Sequence, residues 1–142
     1  MSPVPLHLRA SAAYRHAEAH PSARQIVLLH EGAIRNLQDA RSAIGANQIE
    51  ARFNRVTKAH AIVAALQSCL DFDRGGEVAQ VLDRLYGHIL NRLMLINLHD
   101  DPTICDELVL LLERMRVGWA ELASGPLAAA GPPAGLPTAL SA

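Results

Sequence analysis

The sequence predicts an all-α protein, an antiparallel up-down-up-down four-helix bundle, on three observations. Apolar residues recur every three or four positions over four long stretches, which is the period of a helix with one buried face. The breaks between these stretches are short and polar, so consecutive helices are expected to run antiparallel. Half of the 142 residues are hydrophobic but only 4% are aromatic, and an aliphatic core suits helices better than strands.

The ends of the chain differ from its middle in composition. Residues 1–20 contain Pro3 and Pro5 and are expected to form a flexible leader, in which Tyr14 is a large apolar side chain that could fold back onto the bundle. Residues 124–142 are rich in Ala, Gly and Pro and are expected to form a disordered tail. Residues 21–123 form the predicted bundle, with helices over about 22–44, 48–70, 77–98 and 102–122.

Local signals set the ends of the first two helices. Pro21 disfavours helix at the residue before it, and Ser22 is a candidate N-cap. Gly45 is the candidate C-cap of the first helix. The second helix carries two apolar stripes, and Ile62 and Leu66 belong to the one that a single buried face does not need.

The third and fourth helices have similar signals. The segment Asp71–Gly76 is predicted to be a loop, because acidic residues oppose the dipole at a helix C-terminus and the two glycines release the backbone. The third helix then begins at Glu77, where the dipole favours a carboxylate. Before the fourth helix, Asp101 is the candidate cap and Pro102 takes the first helical position.

Composition also limits the classes of function. A net charge of −1 provides no electrostatic attraction for nucleic acid or for an anionic membrane. No apolar run approaches the roughly 18 residues of a membrane span, and no secretory signal is apparent, so we expect a cytoplasmic protein. In that compartment Cys69 and Cys105 are expected to be reduced.

Motifs for catalysis, cofactors and metals are absent from the sequence, so we expect no enzyme, no cofactor and no metal. His30 and His60 fall on core-facing stripes, which is typical of buried neutral histidines. His88 lies off the core face of the third helix, as in a histidine phosphotransfer bundle. Phosphotransfer through His88 is therefore one alternative function.

Every helix carries more apolar residues than a bundle seam requires, and a contiguous surplus marks a partner surface. Residues from the second and third helices could together form one groove for an amphipathic helix. Two other interpretations remain open, since the leader around Tyr14 could cover this surface, or a second copy could pair on it in a homodimeric adaptor. The predicted contacts for a partner are Ile62, Leu66, Leu82, Tyr86, Leu90 and Leu93.

Several blocks of residues, in family order and at near-family spacing, resemble the FliS-type flagellin export chaperones. In the first helix the chain has Gln25 and Leu29-His30 where the family typically has a leucine and a Leu-Tyr pair. The matching blocks are Ala13-Tyr14, Leu28 to Ile34, Lys58-Ala59 with Ile62 and Leu66, Leu70-Asp71 with Gly75-Gly76-Glu77, Leu82 with Leu85-Tyr86, Arg92-Leu93, and Met115-Arg116 with Trp119.

The resemblance implies a helical bundle of the bacterial cytoplasm that binds the disordered C-terminal segment of flagellin. Such chaperones block premature polymerisation and present flagellin to the flagellar type III export apparatus. Their N-terminal segment can occupy part of the client site, which makes Tyr14 the expected internal ligand. The resemblance leaves open whether an anti-sigma factor is also a partner.

Overall fold

A computed structural model describes residues 21–124, and this part of the chain forms four α-helices packed antiparallel. The first helix packs against the second and the fourth, and the third closes the ring by packing against the same two. The prediction of an all-α four-helix bundle is confirmed. The predicted leader with Tyr14 and residues 125–142 lie outside the described residues. The helices are α1, Ala23–Gly45; α2, Ile49–Ser68; α3, Phe72–His99; and α4, Pro102–Ser124.

Ser22 caps α1 as predicted, and it does so in a reciprocal pair. The Gln25 backbone N–H donates to Ser22 Oγ at 3.1 Å, and the Ser22 backbone N–H donates to Gln25 Oε1 at 2.8 Å. This capping box satisfies two backbone N–H groups that no helical carbonyl can reach. It also gives Gln25 a structural role.

The predicted C-cap of α1 was wrong by one position. Gly45 is still helical, Ala46 is the C-cap, and Asn47 takes the left-handed conformation at φ 58°. The Asn47 and Gln48 N–H groups donate to the carbonyls of Ile44 and Ala43 at 3.1 and 2.9 Å. These are the two bonds of a Schellman motif, and asparagine is the residue after glycine that best tolerates its left-handed position.

The predicted loop over Asp71–Gly76 is shorter than expected. One helical turn starts at Phe72, and the Gly75 N–H donates to the carbonyl of Asp71 at 2.8 Å. The break falls at Gly76, whose φ of 52° and ψ of −125° are accessible to glycine but strained for other residues. Glu77 therefore begins the regular part of α3, after a kink instead of a loop.

The connection between α3 and α4 follows the prediction closely. Asp101 Oδ1 accepts a hydrogen bond from the Thr103 backbone N–H at 2.9 Å, and Pro102 starts the helix. The neighbouring Asp100 adopts φ 54° and forms an ion pair with Arg52 at the start of α2. The α1–α2 and α3–α4 connections therefore meet at the same end of the bundle.

The core is a continuous aliphatic cluster with contributions from all four helices. Its largest buried members include Leu37 on α1, Leu66 on α2, Leu85 on α3 and Leu108 on α4. Among residues 21–124, only His30 and Arg52 are buried and polar or charged. None of the helices in this range is both long and apolar enough to cross a membrane.

Candidate binding surface

The six predicted contact residues lie at different depths in the bundle. Leu66 is 1% exposed, and Leu82, Tyr86 and Leu93 are fully buried. Ile62 and Leu90 are half-buried and pack against the edge of the core. In this arrangement a partner reaches Ile62 and Leu90 directly, whereas the other four form the layer beneath.

Ile62 lies on the α1 side of α2. Its Cδ1 is 3.4 Å from the position that a Cβ on Gly32 would occupy. The missing side chain of Gly32 therefore lets α1 and α2 approach closely, and Ile62 fills the space. Ile62 therefore packs against α1, and the predicted groove that it would share with Leu90 stays a prediction.

Tyr86 takes part in a buried polar pair with α1. The His30 Nδ1 lies 2.8 Å from the Ile26 carbonyl oxygen, and Nε2 lies 3.3 Å from the Tyr86 hydroxyl. Since a carbonyl oxygen only accepts, Nδ1 carries the proton and Nε2 accepts from the tyrosine O–H. Burial lowers the pKa of His30 to about 4, so the ring is neutral at pH 7 and both nitrogens have a partner. The prediction of a buried neutral His30 is confirmed.

A cleft of about 190 Å³ opens between α2 and α3. Its floor contains Leu93, one of the six predicted contacts, and the half-buried His60 lies in its wall. No Asp, Glu, Lys or Arg lines it. The cleft is lined by Val56, Thr57 and His60 from α2 and by Leu93, Met94 and Asn97 from α3.

Exposed apolar side chains flank the cleft on both helices. Ile49 and Phe53 lie one turn apart on α2, at 65% and 53% exposure, and Met94 and Leu98 lie one turn apart on α3, at 64% and 71%. The ion pair between Arg52 and Asp100 places the start of α2 beside the end of α3. We call these four residues, together with the residues lining the cleft, the α2–α3 surface.

The sequence prediction missed most of this surface. On α2 it chose the stripe of Ile62 and Leu66, whereas the exposed Ile49 and Phe53 lie on the other stripe. The signal that could have found them is the pairing of Ile49 with Phe53 and of Met94 with Leu98 at four-residue spacing.

His88 is exposed on α3, in agreement with the sequence prediction. The pKa of Glu107 is lowered mainly by hydrogen bonds from Arg92, and the charge of His88 contributes to the same shift. His88 therefore lies near the Arg92–Glu107 ion pair, in which the two charges offset each other. Within residues 21–124 there is also no group of three or more His, Cys, Asp or Glu side chains able to hold a metal ion.

The family model for the flagellar protein FliS matches residues 8–126, which is most of the chain. The chain belongs to the FliS family. It is 38% identical over 103 residues to the flagellar secretion chaperone FliSB of Pseudomonas aeruginosa, covering 72% of this chain and 81% of that protein.

Two further FliS relatives match over slightly smaller shares of both chains. The flagellar secretion chaperone FliS of Vibrio cholerae is 29% identical over 97 residues, or 68% of this chain and 71% of the relative. That of Salmonella typhimurium is 31% identical over 98 residues, or 68% of this chain and 73% of the relative. The similarity therefore spans the bundle as a whole.

Two residues of α1, Gln25 and His30, differ from those typical of the FliS family, and the structure shows a hydrogen-bonding role for each. Gln25 stands where a leucine is typical, and it is the partner of Ser22 in the capping box. His30 stands where a tyrosine is typical, and it accepts the hydrogen bond of Tyr86 inside the bundle. Both residues therefore form side-chain hydrogen bonds within the described bundle.

Proposed function

We propose that this protein is a flagellar secretion chaperone of the bacterial cytoplasm. It binds the disordered C-terminal segment of flagellin, prevents its premature polymerisation and presents it to the flagellar type III export apparatus. The observation that carries the proposal is membership of the FliS family, with relatives named as flagellar secretion chaperones over 71–81% of their length. The activity is binding and not catalysis.

The client-binding site of this proposal is centred on the α2–α3 surface. Leu90 and Leu93 of the predicted set belong to α3 beside or beneath this surface, and Leu66, Leu82 and Tyr86 support it from within the core. Ile62 offers a separate contact beside α1. The exposed residues Ile49, Phe53, Met94 and Leu98 supply the first contacts for the client.

The energetics favour several anchors spread over a surface. A disordered segment that folds on binding loses about 2–5 kcal/mol to ordering. Burial of one large apolar side chain returns about 1.5–3 kcal/mol. At least two or three anchors are therefore needed before binding becomes favourable, and the four exposed side chains beside the cleft meet this requirement.

The leader supplies the competing internal ligand of this proposal. Tyr14 would occupy part of the client site in the free chaperone, and the client would displace it. Removal of residues 1–20 should then tighten client binding several-fold. An unchanged affinity would show that the leader does not compete.

The direct test is isothermal titration calorimetry with a synthetic peptide of the flagellin C-terminal segment. Met94→Asp puts a charge beside the cleft and should weaken binding about tenfold or more, since it removes one apolar anchor. The matched control is Leu110→Asp on α4, where the side chain is 55% exposed but remote from the α2–α3 contact.

The outcomes separate the function from the site. No binding by the wild-type protein would overturn the chaperone proposal. Equal affinities for wild type, Met94→Asp and Leu110→Asp would leave the function standing and exclude the α2–α3 surface. Light scattering at two protein concentrations, with and without the peptide, shows whether the same surface instead pairs two copies.

A further inference from the structure

Asn97 is an unusual residue in the α2–α3 cleft. It lines the cleft, yet its Oδ1 is buried from solvent and accepts no hydrogen bond from residues 21–124. A buried carbonyl oxygen without a donor is costly, and a leucine at this position would avoid that cost. By contrast, the buried His30 and Tyr86 satisfy each other.

The carboxamide of Asn97 can present its oxygen to a ligand. The final torsion of an asparagine side chain is broad and roughly two-fold, so a rotation about it turns Oδ1 toward the cleft without moving the helix. The apolar side of the lining comes from Val56, Leu93 and Met94. A ligand group in the cleft would therefore meet an apolar wall, the Asn97 carboxamide, and the polar side chains of Thr57 and His60.

The size and charge of the cleft define the group that fits. Its volume of about 190 Å³ suits a single large side chain, since an apolar cavity of roughly 150 Å³ accommodates a benzene ring. The absence of Asp, Glu, Lys and Arg from the lining means that a charged side chain would lose hydration without gaining an ion pair.

We infer that Asn97 is a specificity-determining residue that selects a partner side chain which is uncharged, largely apolar and tipped with an O–H or N–H donor. The phenol of a tyrosine and the amide of a glutamine share this chemistry. The inference deepens the proposed function, because it assigns the cleft to one anchor side chain of the client segment and rests on that function for the identity of the client.

The test uses the full-length protein and two small probes, phenol and toluene, which share a ring and differ in one O–H group. Their binding is followed by ¹H–¹⁵N NMR, through the shifts of the Asn97 side-chain amide and of Leu93 and Met94. Phenol should bind in the cleft about tenfold more tightly than toluene, the value of one additional hydrogen bond. Propionamide, an analogue of the glutamine side chain, tests an amide N–H donor in the same way. Its binding is compared with that of butane, an apolar molecule of similar size.

Two variants make the probe experiment decisive. Asn97→Leu should abolish the preference for phenol while toluene still binds, and Asn91→Leu, at an exposed position of the same helix, should leave the preference unchanged. Equal binding of both probes to the wild type, or a phenol preference that persists in Asn97→Leu, would overturn the inference.

Competition with the flagellin C-terminal peptide then separates the inference from the proposed function. Displacement of phenol by the peptide supports the cleft as an anchor site for the client. If the peptide binds but phenol stays bound, the anchor assignment is wrong and the chaperone function stands. If the probes behave as expected but no flagellin peptide binds, the inference about donor recognition by Asn97 is supported. The proposed flagellin chaperone function is then contradicted.

Discussion

Two regions of the bundle place a histidine close to a second polar side chain, and they differ in whether the hydrogen bonds are completed. Between α1 and α3, His30 and Tyr86 are fully buried and both ring nitrogens have a partner. Between α2 and α3, His60 and Asn97 line an open cleft, and Asn97 Oδ1 has no donor within the described residues. The closed region satisfies its buried polar groups and stabilises the fold, whereas the open region leaves an acceptor unsatisfied at a cost in stability.

The largest expected effect comes from placing a charge beneath the open region. Leu66→Asp buries a carboxylate among aliphatic side chains and should lower the free energy of unfolding by about 4 kcal/mol or more. Met94→Asp, at an exposed site, should change it by no more than about 0.5 kcal/mol. Urea unfolding followed by circular dichroism measures both. Equal stabilities would mean that Leu66 is not part of the core.

The closed region predicts a pH dependence of stability. The pKa of His30 is about 4 in the folded protein and 6.5 when unfolded, so the unfolded chain binds more protons between these values. The contribution of neutral His30 to the free energy of unfolding is therefore fully present above pH 6.5. It is lost as the pH drops toward about 4, by about 3 kcal/mol in all. Urea unfolding at pH 7.0 and 4.5 tests this. The variant His30→Phe should lose this part of the dependence, and an unchanged profile would contradict the assignment.

Removal of the tyrosine hydroxyl tests the same pair with a smaller effect. Tyr86→Phe keeps the ring but leaves His30 Nε2 without its donor, and should cost about 1–3 kcal/mol of unfolding free energy. In the His30→Phe background the same substitution should cost much less, because the acceptor is already absent. Additive effects in this double-mutant cycle would show that the hydroxyl and the ring do not interact.

The smallest expected effect has the opposite sign. Asn97→Leu removes the unsatisfied carboxamide from the open region and should raise the free energy of unfolding by about 1 kcal/mol, or the melting temperature by about 4 °C. Asn91→Leu on the exposed face of α3 is the control and should leave the melting temperature nearly unchanged. A lower melting temperature for Asn97→Leu would show that the asparagine has a stabilising partner.

Much of the bundle was predictable because its signals are local. The apolar period located all four helices, and Ser22 and Asp101 capped the helices that they were predicted to start. The kink at Gly76 and the helical turn before it were not predicted, since two adjacent glycines are compatible with a loop or with a break inside a helix. At the end of α1 the left-handed position fell on Asn47, while the glycine expected to be the C-cap, Gly45, stayed helical.

The binding surface was less predictable because it depends on how each helix is rotated in the bundle. A helical-wheel projection of the sequence shows which residues share a face of a helix. It does not show which neighbouring helix that face packs against. Ile62 therefore appeared compatible with a groove toward α3, whereas its contact with Gly32 places it against α1. The role of Gln25 was also missed, although Ser22 followed three residues later by a glutamine is the sequence signature of a capping box, and the two residues do exchange hydrogen bonds.

The capping box at the start of α1 has a mechanical consequence for client exchange. Ser22 and Gln25 close the helix with atoms from its own first turn, so nothing upstream is required to keep that turn wound. The first turn of α1 therefore stays wound independently of the residues before Ser22. If the leader and the client exchange as proposed, α1 would remain helical throughout that exchange.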